Sequence, residues 1–185
     1  RKIDGLENSF FRMIAQSLYD KTYDLEYRVQ TYEPYREIND LAAEMKTSGY
    51  NPFENPTGIY FKDGEEAVVI VGNTNGERVS LKVYDFDAIR QGQRTPDPTS
   101  YPLNEGINKL RIAHGGLSYI EYYTPNWKTA PALKLHIASG KVNGYYDKHR
   151  DVSADWREIL NKATYGCIDI KGDRVNLVFG VNSIK

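Results

Sequence analysis

Residues 56 to 84 leave this chain few ways to fold. Three extended segments lie there in succession, separated by two turn signals. Ile59 to Lys62 stops at Asp63 and Gly64. Ala67 to Val71 is an unbroken apolar run rich in β-branched residues, the pattern of a strand buried on both faces. Asn73, Thr74, Asn75 and Gly76 come next, residues that tolerate positive φ. Val79, Leu81 and Val83 then alternate with Ser80, Lys82 and Tyr84, the period of a strand with one wet face. The expectation is an antiparallel meander that nucleates an all-β core.

A chain of 185 residues is long enough for one good core, burying roughly 70% of the surface its unfolded form exposes. With 24 basic and 25 acidic side chains the net charge is -1. That gives no electrostatic footprint for a phosphate backbone or an anionic membrane, so nucleic acid is not an expected partner. The single cysteine, Cys167, excludes an intrachain disulfide framework and sits beside Ile168 and Ile170 as a small buried hydrophobe would. No apolar run approaches a membrane span, and the opening residues carry neither initiator Met nor signal-peptide core, so the chain reads as a piece of a longer protein. Tyrosine, at 15 residues against 6 Phe and 2 Trp, suits either a surface for neutral polar ligands or half-buried strands.

The first 50 residues have a different rhythm and are expected to pack on a β-sandwich spanning 51–185. Asn8 or Ser9 can cap a helix whose stripe is Phe10, Phe11, Ile14 and Leu18, ending near Asp20. Tyr23, Leu25, Tyr27 and Val29 alternate with polar residues and predict an extended segment. Pro34 suits the first turn of a second helix, with Ile38, Leu41, Ala42 and Met45 on one face and Gly49 as its stop. Residues 91–100 form a polar, proline-punctuated loop.

Further strands are expected at Ile107 to Ala113, with Leu110 and Ile112 inward, at Leu117 to Tyr123, at Leu133 to Ile137 and at Val142 to Tyr146. A late helix over about 153–164, capped by Ser153, places Trp156, Ile159, Leu160 and Ala163 on one stripe. A hairpin from Ile168 to Phe179, turning at 171–174, closes the chain. Eight or nine short strands with close turn signals predict a mainly β protein: an antiparallel, jelly-roll-like sandwich with two N-terminal helices and one late helix.

No motif for metal, phosphate or nucleophile chemistry is present, so no catalytic residue, metal ligand or cofactor is assigned. His114 and His136 read as structural. Asp147, His149 and Asp151 have spacing that admits a cation or a small hydrolase site, but Lys148 and Arg150 interleave like charges that oppose a bound cation. The better ligand candidate is the loop of Trp127, flanked by Tyr122, Tyr123 and Asn126, as a sugar-stacking platform. One aromatic contact supplies roughly 0.5–1.5 kcal/mol beyond burial, whereas association costs at least about 4 kcal/mol. A glycan site therefore needs the tyrosines and Asn126 to converge with Trp127.

The string Asn55, Pro56, Thr57, Gly58, Ile59, Tyr60, with Gly64, Glu65 and the Val68 to Val71 strand after it, resembles the domain that precedes the catalytic domain in enhancin-like, mucin-degrading zinc metallopeptidases of gut bacteria. The resemblance continues through 101–108, 115–120, 136–142, Asp155 with Trp156, and 169–174. It implies a non-catalytic β-sandwich accessory module of a secreted or cell-surface peptidase directed at heavily glycosylated proteins. Its partners would be a C-terminal metallopeptidase domain and mucin-type glycans. In that family the zinc ligands and general base lie in the next domain, so no catalytic residue carries over. A stand-alone lectin-like sandwich and a small hydrolase remain the alternatives. As a scaffold, the chain would dock a partner through the stripes of its N-terminal helices.

Overall fold

Consecutive strands of the 56–84 stretch do not pair with one another. In the computed structural model, which describes residues 2–47, 55–92, 99–172 and 176–184, β1 (Val29–Tyr32) is followed by β2 (Pro56–Phe61), β3 (Glu66–Val71) and β4 (Val79–Tyr84). The chain continues with β5 (Thr99–Leu103), β6 (Gly106–Arg111), β7 (Gly116–Glu121), β8 (Leu133–Ile137), β9 (Lys141–Val142), β10 (Tyr146–Asp147), β11 (Cys167–Lys171) and β12 (Asn176–Gly180). One sheet has the order β1-β8-β3-β6, and a second has β5-β4-β7-β2-β9. β2 and β4 therefore join one layer and β3 the other, so the expected meander is replaced by strands that cross between layers at Asp63-Gly64 and Asn75-Gly76.

The mainly β, antiparallel sandwich is otherwise as the sequence predicts, with a core drawn from both layers. Ile59, Phe61, Leu81 and Ile120 of one sheet meet Val69, Leu133, Leu135 and Ile137 of the other. Each such side chain contributes about 1.5–3 kcal/mol on burial. β3 is buried on one face only: Ala67, Val69 and Val71 are covered while Val68 and Ile70 are half-exposed. Its alternation arises from having the sandwich core on one side and, among the described residues, no third sheet over the other.

The expected closing hairpin is β11 and β12, paired with Ile168 opposite Phe179, but the sheet it forms with β10 is not legible in the sequence. β10-β11-β12 pairs β10 parallel to β11 and β12 antiparallel to β11. It covers the outer face of the five-stranded sheet, where Leu117 and Tyr119 pack with Cys167, Val178 and Tyr165. The strands thus lie in three layers over part of the molecule, and twelve occur among the described residues against the eight or nine expected. β5 escapes sequence reading because Pro102 interrupts it, yet proline is tolerated there because β5 is an edge strand.

The helices are α1 (Ser9–Tyr19), α2 (Leu25–Arg28), α3 (Ile38–Glu44), α4 (Phe86–Arg90) and α5 (Trp156–Lys162). Asn8 caps α1 by accepting from the Phe10 and Phe11 amides, but of its stripe only Ile14 is buried. Residues 25–28, expected to be extended, close one helical turn before β1, and β1 itself pairs with β8 inside the sandwich. The 1–50 segment thus supplies a strand to the sheet. α3 starts after Glu37, leaving Pro34 outside it, and buries no side chain. α5 starts after Asp155 instead of Ser153, and Ile159 and Leu160 pack on Ile168 of β11. Gly49, most of the 91–100 loop and residues 173–174 of the expected 171–174 turn lie outside the described residues. No described helix is long and apolar enough to cross a membrane.

The string Asn55 to Tyr60 has a physical reading in this fold. Thr57 is buried, and its hydroxyl lies 2.6 Å from that of Ser118 on β7 while accepting from the Ile59 amide at 3.0 Å. Gly58 has φ +71°, and a Cβ there would lie 2.7 Å from the Tyr27 ring. Between Pro56 and Tyr60 the register with β7 shifts, a β-bulge that turns Ile59 into the core and Tyr60 out toward Tyr165, whose ring stacks on it at 4.9 Å.

Candidate functional site

The loop from Tyr122 to Ala132 joins β7 to β8 and is tied down at its base. Tyr122 accepts the Tyr35 amide at its carbonyl, 2.8 Å, and Thr124 donates its amide to the Tyr35 carbonyl, 3.0 Å. Within the loop the Trp127 amide donates to the Thr124 carbonyl, and the amides of Thr129 and Ala130 both donate to the Asn126 carbonyl at 2.8 Å. These bonds fix the backbone without using the indole.

Trp127 is 38% exposed, with the Lys128 ammonium 5.4 Å from the ring centroid. Asn126 sits beside it and donates from Nδ2 to Glu77 Oε1 at 3.1 Å. Side-chain hydrogen bonds from Thr124 and Asn126 hold the Glu77 carboxyl below its usual range. Glu77 reaches the loop from the turn between β3 and β4, a neighbour that sequence reasoning missed because it is distant along the chain.

The four residues singled out in the sequence are not equivalent. Trp127 and Asn126 are on the surface together. Tyr123 is half-buried, forms a lone parallel bridge with Tyr35, and lies 6.5 Å from it ring to ring. Tyr122 belongs to the core, 1% exposed, with its hydroxyl donating to the Pro131 carbonyl at 2.9 Å. Its ring is closed to solution. The polar groups beside Trp127 are therefore its chain neighbours Asn126 and Lys128, with Glu77 held by Asn126.

The segment Asp147 to Asp151 folds as a turn that consumes its own charges. Asp151 accepts from the Arg150 guanidinium and from the Asp147 amide, and Arg150 lies over the rings of Tyr27 and Tyr145 at 5.2 and 4.8 Å while reaching Glu26 at 3.2 Å. It ties α2 to the β10 turn. His149 and His114 are exposed, and His136 faces Tyr23, whose hydroxyl lies 2.5 Å from Nε2. Among the described residues no three His, Cys, Asp or Glu side chains are grouped to hold a metal ion. A cleft of about 360 Å³ opens between α2, α5 and the β9–β10 connection. Of its carboxylates, Glu26 and Asp151 pair with Arg150 and Glu158 with Lys162, while Asp24 and Asp155 also line it.

Comparison with known proteins decides the family. The family model described as the N-terminal domain of M60-like peptidases matches residues 25–137. The chain belongs to this family. The matched range begins at α2 and ends with β8, so it covers the four-stranded sheet entire and every strand of the five-stranded one except β9.

The M60-like N-terminal domain also aligns with solved structures. A metallopeptidase from Bacteroides thetaiotaomicron is 32% identical with a TM-score of 0.84, over 98% of this chain and 32% of that one. A metallopeptidase in complex with Tn antigen is 31% identical with a TM-score of 0.77, over 89% of this chain and 31% of that one. ZmpB metallopeptidase from Clostridium perfringens, at 14% identity and a TM-score of 0.68 over 84% of this chain and 34% of that one, shares the fold. The chain thus spans about a third of the structures it matches. Among curated proteins none matches it by sequence.

Proposed function

We propose that this M60-like N-terminal domain is a non-catalytic accessory module of a secreted or cell-surface metallopeptidase directed at mucin-type glycoproteins. It would act as a scaffold for the peptidase domain that comes after it and, through the Trp127 loop, as a glycan-targeting surface. The observation that carries the reading is the family match, together with two relatives above 30% identity that are metallopeptidases three times as long as this chain.

The scaffold role is supported by the incomplete cover over α1, where Phe11 and Leu18 stay open to water beside buried Ile14. Targeting is supported by the exposed indole on a rigid loop, flanked by an amide, a carboxylate and an amine. Those are the groups that grip sugar hydroxyls while a ring face takes the C–H side.

Trp127→Ala in the parent enzyme tests the second role. Retention on a mucin-glycan array should fall at least about tenfold, the loss of roughly 1.4 kcal/mol, with no change in Tm. Undiminished retention would remove glycan targeting from this loop. Deleting the domain tests the first, and a peptidase part that keeps its full stability and soluble yield would count against a scaffold.

A further inference from the structure

We propose that the outward face of β12 is the surface on which the peptidase domain of the parent protein packs. The proposal rests on the accessory-domain reading and names the face that reading leaves open. β12 is the edge of its three-stranded sheet. Proteins ordinarily blunt such an edge with charge, proline or a covering element, because an unpaired strand recruits other chains. Asn176, Leu177, Val178, Phe179 and Gly180 include neither a charged residue nor a proline.

The two sides of this strand meet different fates. Val178 packs inward with Leu117, Tyr119 and Cys167. Leu177 and Phe179 point the other way and are 45% and 39% exposed, opposite Ile170 and Ile168 in register. α5 covers that side incompletely: Ile159 and Leu160 cluster with Ile168 and Val181, and Leu177 and Phe179 stand outside the cluster. Among the described residues, an apolar shelf continuous with a well-packed cluster is left open at the edge of the sheet.

Order and length identify the occupant. The family description places this domain first, and in the two metallopeptidases above 30% identity about two-thirds of the polypeptide lies outside it. The polypeptide leaves an N-terminal domain at that domain's carboxyl end. β12 is the last strand, and the 3-10 turn Val181–Ser183 after it is held against α5 by Val181 and Ile184. A peptidase domain that follows this one, as the accessory-domain reading has it, can cover Leu177 and Phe179 at little cost in chain entropy, because β12 and the Val181–Ser183 turn lie side by side.

The test compares the parent polypeptide, carrying this domain and its peptidase domain, with the 185-residue chain. Backbone amides of β12 should exchange at least about tenfold more slowly in the parent. Leu177→Ser combined with Phe179→Ser should split the parent's single thermal transition in two, while leaving the Tm of the 185-residue chain within a few degrees. Protection on another face of the domain would overturn the β12 assignment and leave the accessory reading standing. Protection nowhere would remove both. A dimer of the 185-residue chain in sedimentation, abolished by the two substitutions, would give the shelf to a second copy and overturn the proposal. Should the double variant not fold, the exchange comparison on unmodified protein decides.

Discussion

The Tyr119 hydroxyl donates a 2.6 Å hydrogen bond to Asp169 Oδ1, linking the five-stranded sheet to the three-stranded one through a carboxyl that is 1% exposed. The contact joins β7 to β11 at the centre of the third layer. Burial pushes the Asp169 carboxyl from an ordinary 3.8 up to about 7, opposed by the tyrosine bond, which favours the charged form.

That carboxyl makes stability depend on pH with a definite sign. Between about pH 4 and pH 7 folded Asp169 keeps a proton that the unfolded chain has lost, so stability falls as pH rises through the window and levels off above it. The total is on the order of a few kcal/mol. Asp169→Asn should flatten this slope and be at least as stable as the parent sequence at pH 8. Tyr119→Phe should cost about 1–3 kcal/mol by stripping a buried oxygen of its donor. Thermal unfolding from pH 4 to 8 reads both, and an unaltered slope in the Asn variant would show that Asp169 titrates as an ordinary carboxyl.

His136 works in the opposite direction. Burial, aided by the Arg28 charge, lowers its pKa below 6.5. Its contribution is therefore complete above about pH 6.5, where both states are neutral, and is lost as pH falls through the folded value. His136→Gln should remove acid sensitivity below pH 6.5 and expose the Asp169 slope that it partly masks. If the Gln variant loses stability with acid as steeply as the parent sequence, the imidazole is not the group responsible.

Gly58 and Gly76 separate backbone strain from crowding. Both have positive φ, +71° and +81°, but a Cβ on Gly76 meets nothing within 4 Å, whereas one on Gly58 lies 2.7 Å from Tyr27 and 3.1 Å from Tyr145. Gly76→Ala should cost only the conformational term, about 1–2 kcal/mol. Gly58→Ala adds the clash and should exceed about 3 kcal/mol. Urea midpoints compare them, and equal losses would mean that Tyr27 gives way freely.

Much of the fold was legible because strand alternation and helix capping are local. The alternation of Val79, Leu81 and Val83, and that of Leu133, Leu135 and Ile137, announced which side of each strand is buried. Asn8 announced the start of α1. The same local logic misled at residues 25–28, where alternation over four residues fits a helical turn as well as a strand. Of the candidate site, the sequence placed Trp127 on a proline-flanked loop, and the structure decided that it is exposed. The burial of Tyr122 and the approach of Glu77 did not show, since each depends on segments far along the chain.

The sequence alone placed most of the strands and the buried side of β4 and β8, and its Asn55 to Tyr60 string pointed to the family that the family model then established. Only the tertiary structure decided that β2 and β4 share a sheet from which β3 is absent, that β10, β11 and β12 form a third layer, and that Asp169 is sealed beneath Tyr119. Alternation with a period of two is written in each strand by itself. The choice of neighbour is made by backbone hydrogen bonds between distant segments, and many pairings satisfy the same alternation equally well.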